Sequence, residues 1–373
     1  MSLSWLWYLS VVPALGFLIF VHELGHFVTA LRMGIKVEEF GFGYPPRMLT
    51  LFRYRDVPVT INWLPLGGFV RMAGEEGNFD AEGSLAQAPP WKKIPVMAAG
   101  AIMNLLTAMI LFAIIGMAGQ PDPIGPVTII EVVPGSPAAA ALKPGDVILK
   151  VDGETVDSPG TLRRLIDERV GRQVILDVQS VNENGATELK NVRIRPRTEA
   201  ERGPRDGALG VEIGVPAGQS TGTRYINRLN PLSAVGYGLQ HTVSLLFQML
   251  AGLGALLASL FGFAPSPEGS VAGVVGITRL TGQIAQRGLL QLLDWTAVLS
   301  VNLALINLLP LPALDGSRIV FAFVEWIRGG KRVPPEREAM VHAVGMMLLL
   351  GLMLVITFSD VRNWISGYDA FGQ

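Results

Sequence analysis

Four stretches of this chain, each about 20 residues long or longer, are almost free of charge, and they limit its fold more than any other feature. Leu3–Leu31 carries only Glu23, while Ile94–Gly119, Trp295–Leu314 and Ala339–Phe358 carry no charge. A helix rises 1.5 Å per residue, so about 20 residues cross a hydrocarbon core. Burying four such helices in a soluble core would demand amphipathic patterning, and the stretches have none. The expectation is four transmembrane helices. A fifth uncharged run, Leu239–Ala264, is also long enough.

Charge gives the orientation. No Lys or Arg precedes Arg32, and no A-x-A-like site closes the first stretch, so it reads as a retained span rather than a secretory leader. Arg32, Lys36, Arg47, Arg53, Arg55, Arg71, Lys92 and Lys93 fall between the first two spans, and Arg328, Lys331, Arg332 and Arg337 precede the last. Both loops are therefore expected in the cytoplasm, with the N-terminus outside.

Between Gln120 and Tyr225 the composition becomes that of a soluble domain. β-Branched runs (Val127–Val133, Asp146–Val151, Gln173–Val181, Asn191–Arg195) alternate with Pro-Gly, Asp-Gly and Asn-Gly turns around one helical stretch, Ser158–Val170. This predicts a β-rich insert at 120–225, between an N-terminal membrane part at 1–119 and a linker at 226–285, with a C-terminal membrane part at 286–373. Overall, 50% of residues are hydrophobic and 16% charged, with a net charge of −1 and no cysteine. That balance argues against disorder and nucleic-acid binding, and it removes disulfides, thiolate metal sites and a cysteine nucleophile.

Within the first apolar stretch lies His22-Glu23-Leu24-Gly25-His26. Residues four apart share a helix face, so both imidazoles can bind one Zn²⁺ with Glu23 beside the reacting water. Ionisable groups are costly in a span unless they act. Catalytic zinc normally takes three protein ligands. His241 and His342 are the other histidines, but Asp315, at the end of the third uncharged span, is the better candidate. Its alternative is a helix-end turn residue before Gly316. Sharing one membrane face with His22 and His26 requires that Leu239–Ala264 make no net crossing. That run is expected to be an interfacial helix on the outer surface.

These residues resemble a known family. HELGH, the Asn307-Leu-Leu-Pro-Leu-Pro-Ala-Leu-Asp-Gly316 run and an intervening PDZ-like domain look like the site-2 protease family of intramembrane zinc metalloproteases. The closer likeness is to its bacterial regulator-of-sigma-E-protease-like branch. The resemblance implies Zn²⁺ held by His22, His26 and Asp315, with Glu23 as general base. It implies a membrane-re-entrant β-hairpin at about 57–73, with Gly67, Gly68 and Phe69 meeting an unwound substrate strand. Asn307 and Asn104 match family asparagines expected to meet substrate, the first near the metal. Asn104 follows Gly-Ala-Ile-Met where the family often has Gly-Pro. Gly207, Leu209, Gly210 and Val211 match the peptide-binding loop of a permuted PDZ domain, which would capture a C-terminal peptide. The insert has room for one PDZ domain, where enterobacterial relatives carry two.

The implied function is regulated proteolysis of single-span membrane proteins, such as anti-sigma factors or remnant signal peptides, in a bacterial inner membrane. The active site would lie near the cytoplasmic face and the PDZ domain outside. Two other readings compete: a membrane-anchored PDZ scaffold with a non-catalytic metal site, and a zinc- or proton-coupled transporter. The transporter draws on His342 but lacks an inverted repeat.

Overall fold

The computed structural model describes residues 3–74, 82–181, 187–202, 207–216, 218–260, 262–263 and 273–365. They form two compact units, Met1–Ile115 with Asn230–Gln373, and Gly116–Leu229.

The first unit opens with a 3₁₀ turn, Leu3–Ser10, that runs into α1 (Val11–Arg32). Leu18, Val21, His22, Gly25, His26, Phe27 and Ala30 are its buried residues, spaced at helical period on one side, so the histidines share the packed face. The helix ends where Met33 N–H and Gly34 N–H close back on Thr29 and Leu31 and Gly34 turns to φ 72°. Then come two long strands, β1 (Val37–Tyr54) and β2 (Val57–Met72), and α2 (Pro90–Ala118).

The expected hairpin at 57–73 is larger and more folded than its sequence suggested. Phe40 of β1 pairs with both Val70 and Val59, and Val59 also pairs with Phe52. Each strand therefore bends back on itself, and four segments lie side by side in the order 47–54, 57–62, 39–44, 64–72. Phe40, Val57, Val59 and Met72 pack with Phe27, Ala30 and Ile35 of α1 and its exit. The outermost segment, 47–54, is exposed throughout. Inside the sheet the buried Glu39 carboxylate takes bonds from Arg47 (2.7 Å) and Thr60 (2.8 Å). Burial opposes its ionisation, but those donors and nearby Arg71 hold its pKa below the usual carboxylate value.

The second unit is held at its neck by β3 (Gln120–Ile124) and β10 (Gly222–Ile226), antiparallel with Gln120 opposite Ile226. Its ends thus leave side by side, the condition for inserting a domain into a helical bundle. Between them β4 (Val127–Val132), β5 (Val147–Val151), β7 (Val174–Val181), β8 (Thr187–Ile194) and β9 (Val211–Gly214) form a sheet in the order 8-7-5-4-9. The short β6 (Glu154–Thr155) hangs on β5. The helix α3 (Pro159–Asp167), capped by the Ser158 hydroxyl, stops three residues before the expected Val170. Its Leu162, Leu165 and Ile166 join Val127, Ile148 and Leu176 in one core.

Back in the first unit follow α4 (Pro231–Leu260), α5 (Val274–Arg287), α6 (Leu289–Leu308), α7 (Asp315–Ile327) and α8 (Pro335–Ile365). Among the described residues five helices are long and apolar enough to cross a bilayer: Leu6–Arg32, Pro90–Ala118, Pro231–Ser259, Leu289–Leu308 and Arg337–Arg362. That is one more than the four spans expected, and the addition is the run read as interfacial. Length and apolarity are common to all five, so they do not separate a crossing helix from a surface one. The third uncharged stretch is broken: α6 ends at Leu308, and Asp315 begins a new helix. Gly316 lets this corner close, since a Cβ there would lie 2.1 Å from the Leu309 carbonyl oxygen and 2.5 Å from that of Leu308.

Candidate metal and catalytic centre

Two elements, α1 and α7, bring three ligand atoms together. His22 Nε2 lies 3.0 Å from Asp315 Oδ2, His26 Nε2 lies 3.2 Å from the same oxygen, and the two Nε2 atoms are 3.1 Å apart. Both rings are buried, and one ligand atom from each of the three residues falls within 4.8 Å of the others. The edge of a tetrahedron of zinc ligands is about 3.3 Å, given bonds near 2.0–2.1 Å. The triangle is thus the size one divalent ion needs.

The outer ring nitrogens show which protons are present. His26 Nδ1 lies 2.7 Å from the Val96 carbonyl, which can only accept, so Nδ1 carries the hydrogen and Nε2 presents a lone pair. His22 Nδ1 faces the Asn104 amide nitrogen at 3.2 Å, while Asn104 Oδ1 is buried without a partner. Exchanging the two ends of that amide lets His22 Nδ1–H donate to Oδ1. Two lone pairs and a carboxylate oxygen then converge, and a cation resolves their mutual repulsion. The residues present fit Zn²⁺, with both imidazoles oriented through their far nitrogens.

All of these outer contacts come from α2. Val96, Gly100 and Asn104 are four residues apart and share one helix face. Gly100 sits at the point of contact, where a Cβ would lie 2.4 Å from His26 Nε2 and 2.5 Å from His22 Nε2. Ser300 of α6 donates to the Asn104 carbonyl at 2.8 Å, tying α6 into the same support.

Glu23 shares a cavity of about 420 Å³ with His26, Asp315, Tyr44, Phe69 and Arg318. Its Oε2 accepts the backbone N–H of Val70 at 3.1 Å. Val70 is on the segment that forms one edge of the folded sheet, so this N–H points away from Phe40 and toward the site. Burial and the Glu23 charge push the Tyr44 phenol up, so it stays protonated, a hydrogen-bond donor on the cavity wall.

The other expected residues divide. Phe69 lines the cavity. Gly67 and Gly68 instead lie against α1, beside Ile19 and Phe20. Asn104, also expected to meet substrate, is fully buried and its amide faces His22. Asn307, half-buried at the end of α6, makes no side-chain hydrogen bond among the described residues and is not part of the cavity wall. In the second unit, Leu209 enters the core, Gly210 takes φ 72°, and the Gly210 carbonyl accepts from Val133 N–H and Ser136 Oγ. Val211 starts β9, an edge strand whose one partner among the described residues is β4.

Sequence reasoning missed Val96, Val70, Tyr44 and Arg318. Backbone contacts leave no mark in residue type. His342 was visible as an ionisable group in an apolar helix. Its Nδ1 accepts the N–H of Ala313, which sits at φ 73° two residues before Asp315.

A model of peptidase family M50 matches residues 10–352. A zinc metalloprotease, RasP, of Geobacillus kaustophilus is 28% identical, over 95% of this chain and 98% of its own length. A putative zinc metalloprotease of Clostridium perfringens is 33% identical over 93% of this chain and 96% of its own. The regulator of sigma-W protease RasP of Bacillus subtilis is 28% identical over 95% and 98%.

Proposed function

The chain belongs to peptidase family M50, and from that membership we propose that it cuts its substrates within the membrane, at His22, Glu23, His26 and Asp315. It is a zinc metalloendopeptidase and a bacterial membrane protein. The observation that carries the intramembrane reading is the meeting of His22 and His26, inside an apolar helix, with Asp315 and a Glu23 cavity edged by a β-strand.

His22, His26 and Asp315 would hold Zn²⁺, which when bound would supply a Lewis acid to polarise the scissile carbonyl and acidify a water. Glu23 takes the proton of the attacking water and returns it to the leaving nitrogen. The Val70 N–H aims the carboxylate at that task. Val96 and Asn104 hold the imidazoles so that their Nε2 lone pairs face inward. A helical substrate hides its carbonyls in its own bonds, so it must unwind to be cut. The edge segment 64–72 offers backbone partners to the unwound strand beside Phe69 and the metal ligands.

Four spans, α1, α2, α6 and α8, cross in this reading. Contacts at the helix ends support it. Trp295 at the start of α6 donates to Thr281 of α5, and Asp360 near the end of α8 accepts from Gly273 and Gly276 at the start of α5. Tyr8 packs on Gly282. All four chain regions therefore share a level, opposite the metal site, and α4 with the segment after it adds no net crossing. The basic loops then lie in the cytoplasm and the insert outside. The insert acts as a PDZ domain, with the open edge of β9 taking a peptide strand. Substrates are single-span proteins, anti-sigma factors or remnant signal peptides among them.

The decisive test is Glu23→Gln in the purified full chain. Zinc content should stay near one per protein while cleavage of a single-span substrate is lost. Retained cleavage would refute the base assignment; loss of zinc together with activity would show that Glu23 serves the metal site rather than the water.

A further inference from the structure

A second cavity, of about 580 Å³, lies between α1 and the face of the folded sheet, away from the metal ligands. Its wall on α1 runs through Phe20, Leu24, Phe27 and Leu31 to Arg32. That path spans twelve residue steps, about 18 Å along the helix axis. The opposite wall is a cross-strand row of side chains, Phe52, Val59 and Phe40, which are aligned partners in the sheet. At the deep end Phe20 stacks on Phe42, with centroids 4.3 Å apart; at the shallow end Tyr54 approaches Phe27 at 6.2 Å. Arg55 follows Tyr54 and leans on its ring, 5.8 Å from the centroid. Arg32 and Arg55 are the charged residues of the lining, both exposed, and neither has a carboxylate partner among the described residues.

We propose that this groove binds one anionic phospholipid, its acyl chain along Phe20–Leu31 and its phosphate between Arg32 and Arg55. The groove is apolar along its length and cationic at one end, which is the polarity of such a lipid. Basic pockets at the cytoplasmic end of membrane helices take anionic head groups, and arginine forks suit phosphate oxygens. A peptide strand fits poorly. The walls are a helix flank and a sheet face, so its backbone N–H and C=O groups would find no partners. An acyl chain has none to satisfy. The site also bears on catalysis, because its wall is the same sheet whose Val70 N–H holds Glu23. The bound lipid braces that sheet against α1.

The test uses the purified full chain in nanodiscs of phosphatidylcholine with 10% phosphatidylglycerol, followed by native mass spectrometry of retained lipid. Both leaflets have one composition, so the result does not depend on the orientation of the protein or on its protease activity. Wild type should retain one phosphatidylglycerol in preference to phosphatidylcholine. Arg32→Gln with Arg55→Gln should weaken that preference about 30-fold, two basic residues at ~1 kcal/mol each. Arg328→Gln with Lys331→Gln removes equal charge from the same face outside the groove and should leave it intact. Leu24→Trp should displace the lipid with the charges unchanged. Equal loss in both double variants would reduce the effect to bulk attraction and overturn the proposal. So would an absence of preference in wild type, or a co-purified peptide in the groove.

Discussion

The side-chain amide of Asn104 faces His22 Nδ1 across 3.2 Å, at a depth where Asn104 has no exposed surface. An asparagine behind a metal ligand fixes the tautomer and rotation of the imidazole, and contacts of this kind are worth about 10–100-fold in metal affinity or activity. Asn104→Ala should weaken zinc retention against a chelator by that order, and Asn104→Asp, which keeps an acceptor, should recover much of it. Equal zinc affinity in all three proteins would return Asn104 to the substrate side of the site.

Gly100→Ala should be more damaging than its single methyl suggests. The new Cβ would fall 2.4–2.5 Å from both Nε2 atoms, so α1 and α2 must separate or the rings must turn. Overpacking of this kind costs about 1–3 kcal/mol in an ordinary core. Here it should also abolish stoichiometric zinc, read by metal analysis, while the circular dichroism of the helices changes little. Full zinc content in the variant would mean that the two helices are not locked as described.

His342 acts on the site through Ala313. His342→Leu strands the Ala313 N–H, a loss of about 1–3 kcal/mol at a residue already in the left-handed region. Hydrogen exchange across 309–316 should quicken and zinc should leave faster. His342→Asn, which can place an acceptor near Nδ1, should restore both. Identical behaviour of Leu and Asn would reduce His342 to packing. Rescue would also remove the feature that favoured a transporter.

Lys93 of α2 and Glu325 of α7 form an ion pair of 2.6 Å with both side chains largely covered, and Arg332 flanks it at 3.6 Å. Breaking one partner of a buried pair costs about 3–5 kcal/mol, whereas replacing both can be nearly neutral. Lys93→Met should therefore lower the unfolding temperature in detergent markedly, and Lys93→Met with Glu325→Leu should recover most of it. Additive losses would show that the pair is effectively solvated.

Much of the site was legible because a membrane makes chemistry conspicuous. Glu23, His22 and His26 interrupt an apolar stretch, and Asp315 follows another, so residue type alone singled them out. The sheet was legible only in part. The family resemblance pointed to 57–73, but half of the pairing comes from 37–54, and a strand that bends and pairs on both sides is set by register, which residue type does not record. The span count was ambiguous for the same kind of reason. α4 is as apolar as the other four long helices, so composition does not say whether it crosses.

By itself the sequence determined where charge could not go, and so which segments are apolar enough for lipid, which residues are out of place there, and what metal chemistry their types permit. Tertiary structure alone decided the support around them: Val96 and Asn104 behind the imidazoles, Val70 holding Glu23, Gly100 allowing α2 to touch the ligands, His342 holding the turn before Asp315. The physical reason is that burial cost belongs to a residue's own type, whereas a backbone hydrogen bond or a close helix contact belongs to a pair. The members of these pairs come from segments that only folding brings together.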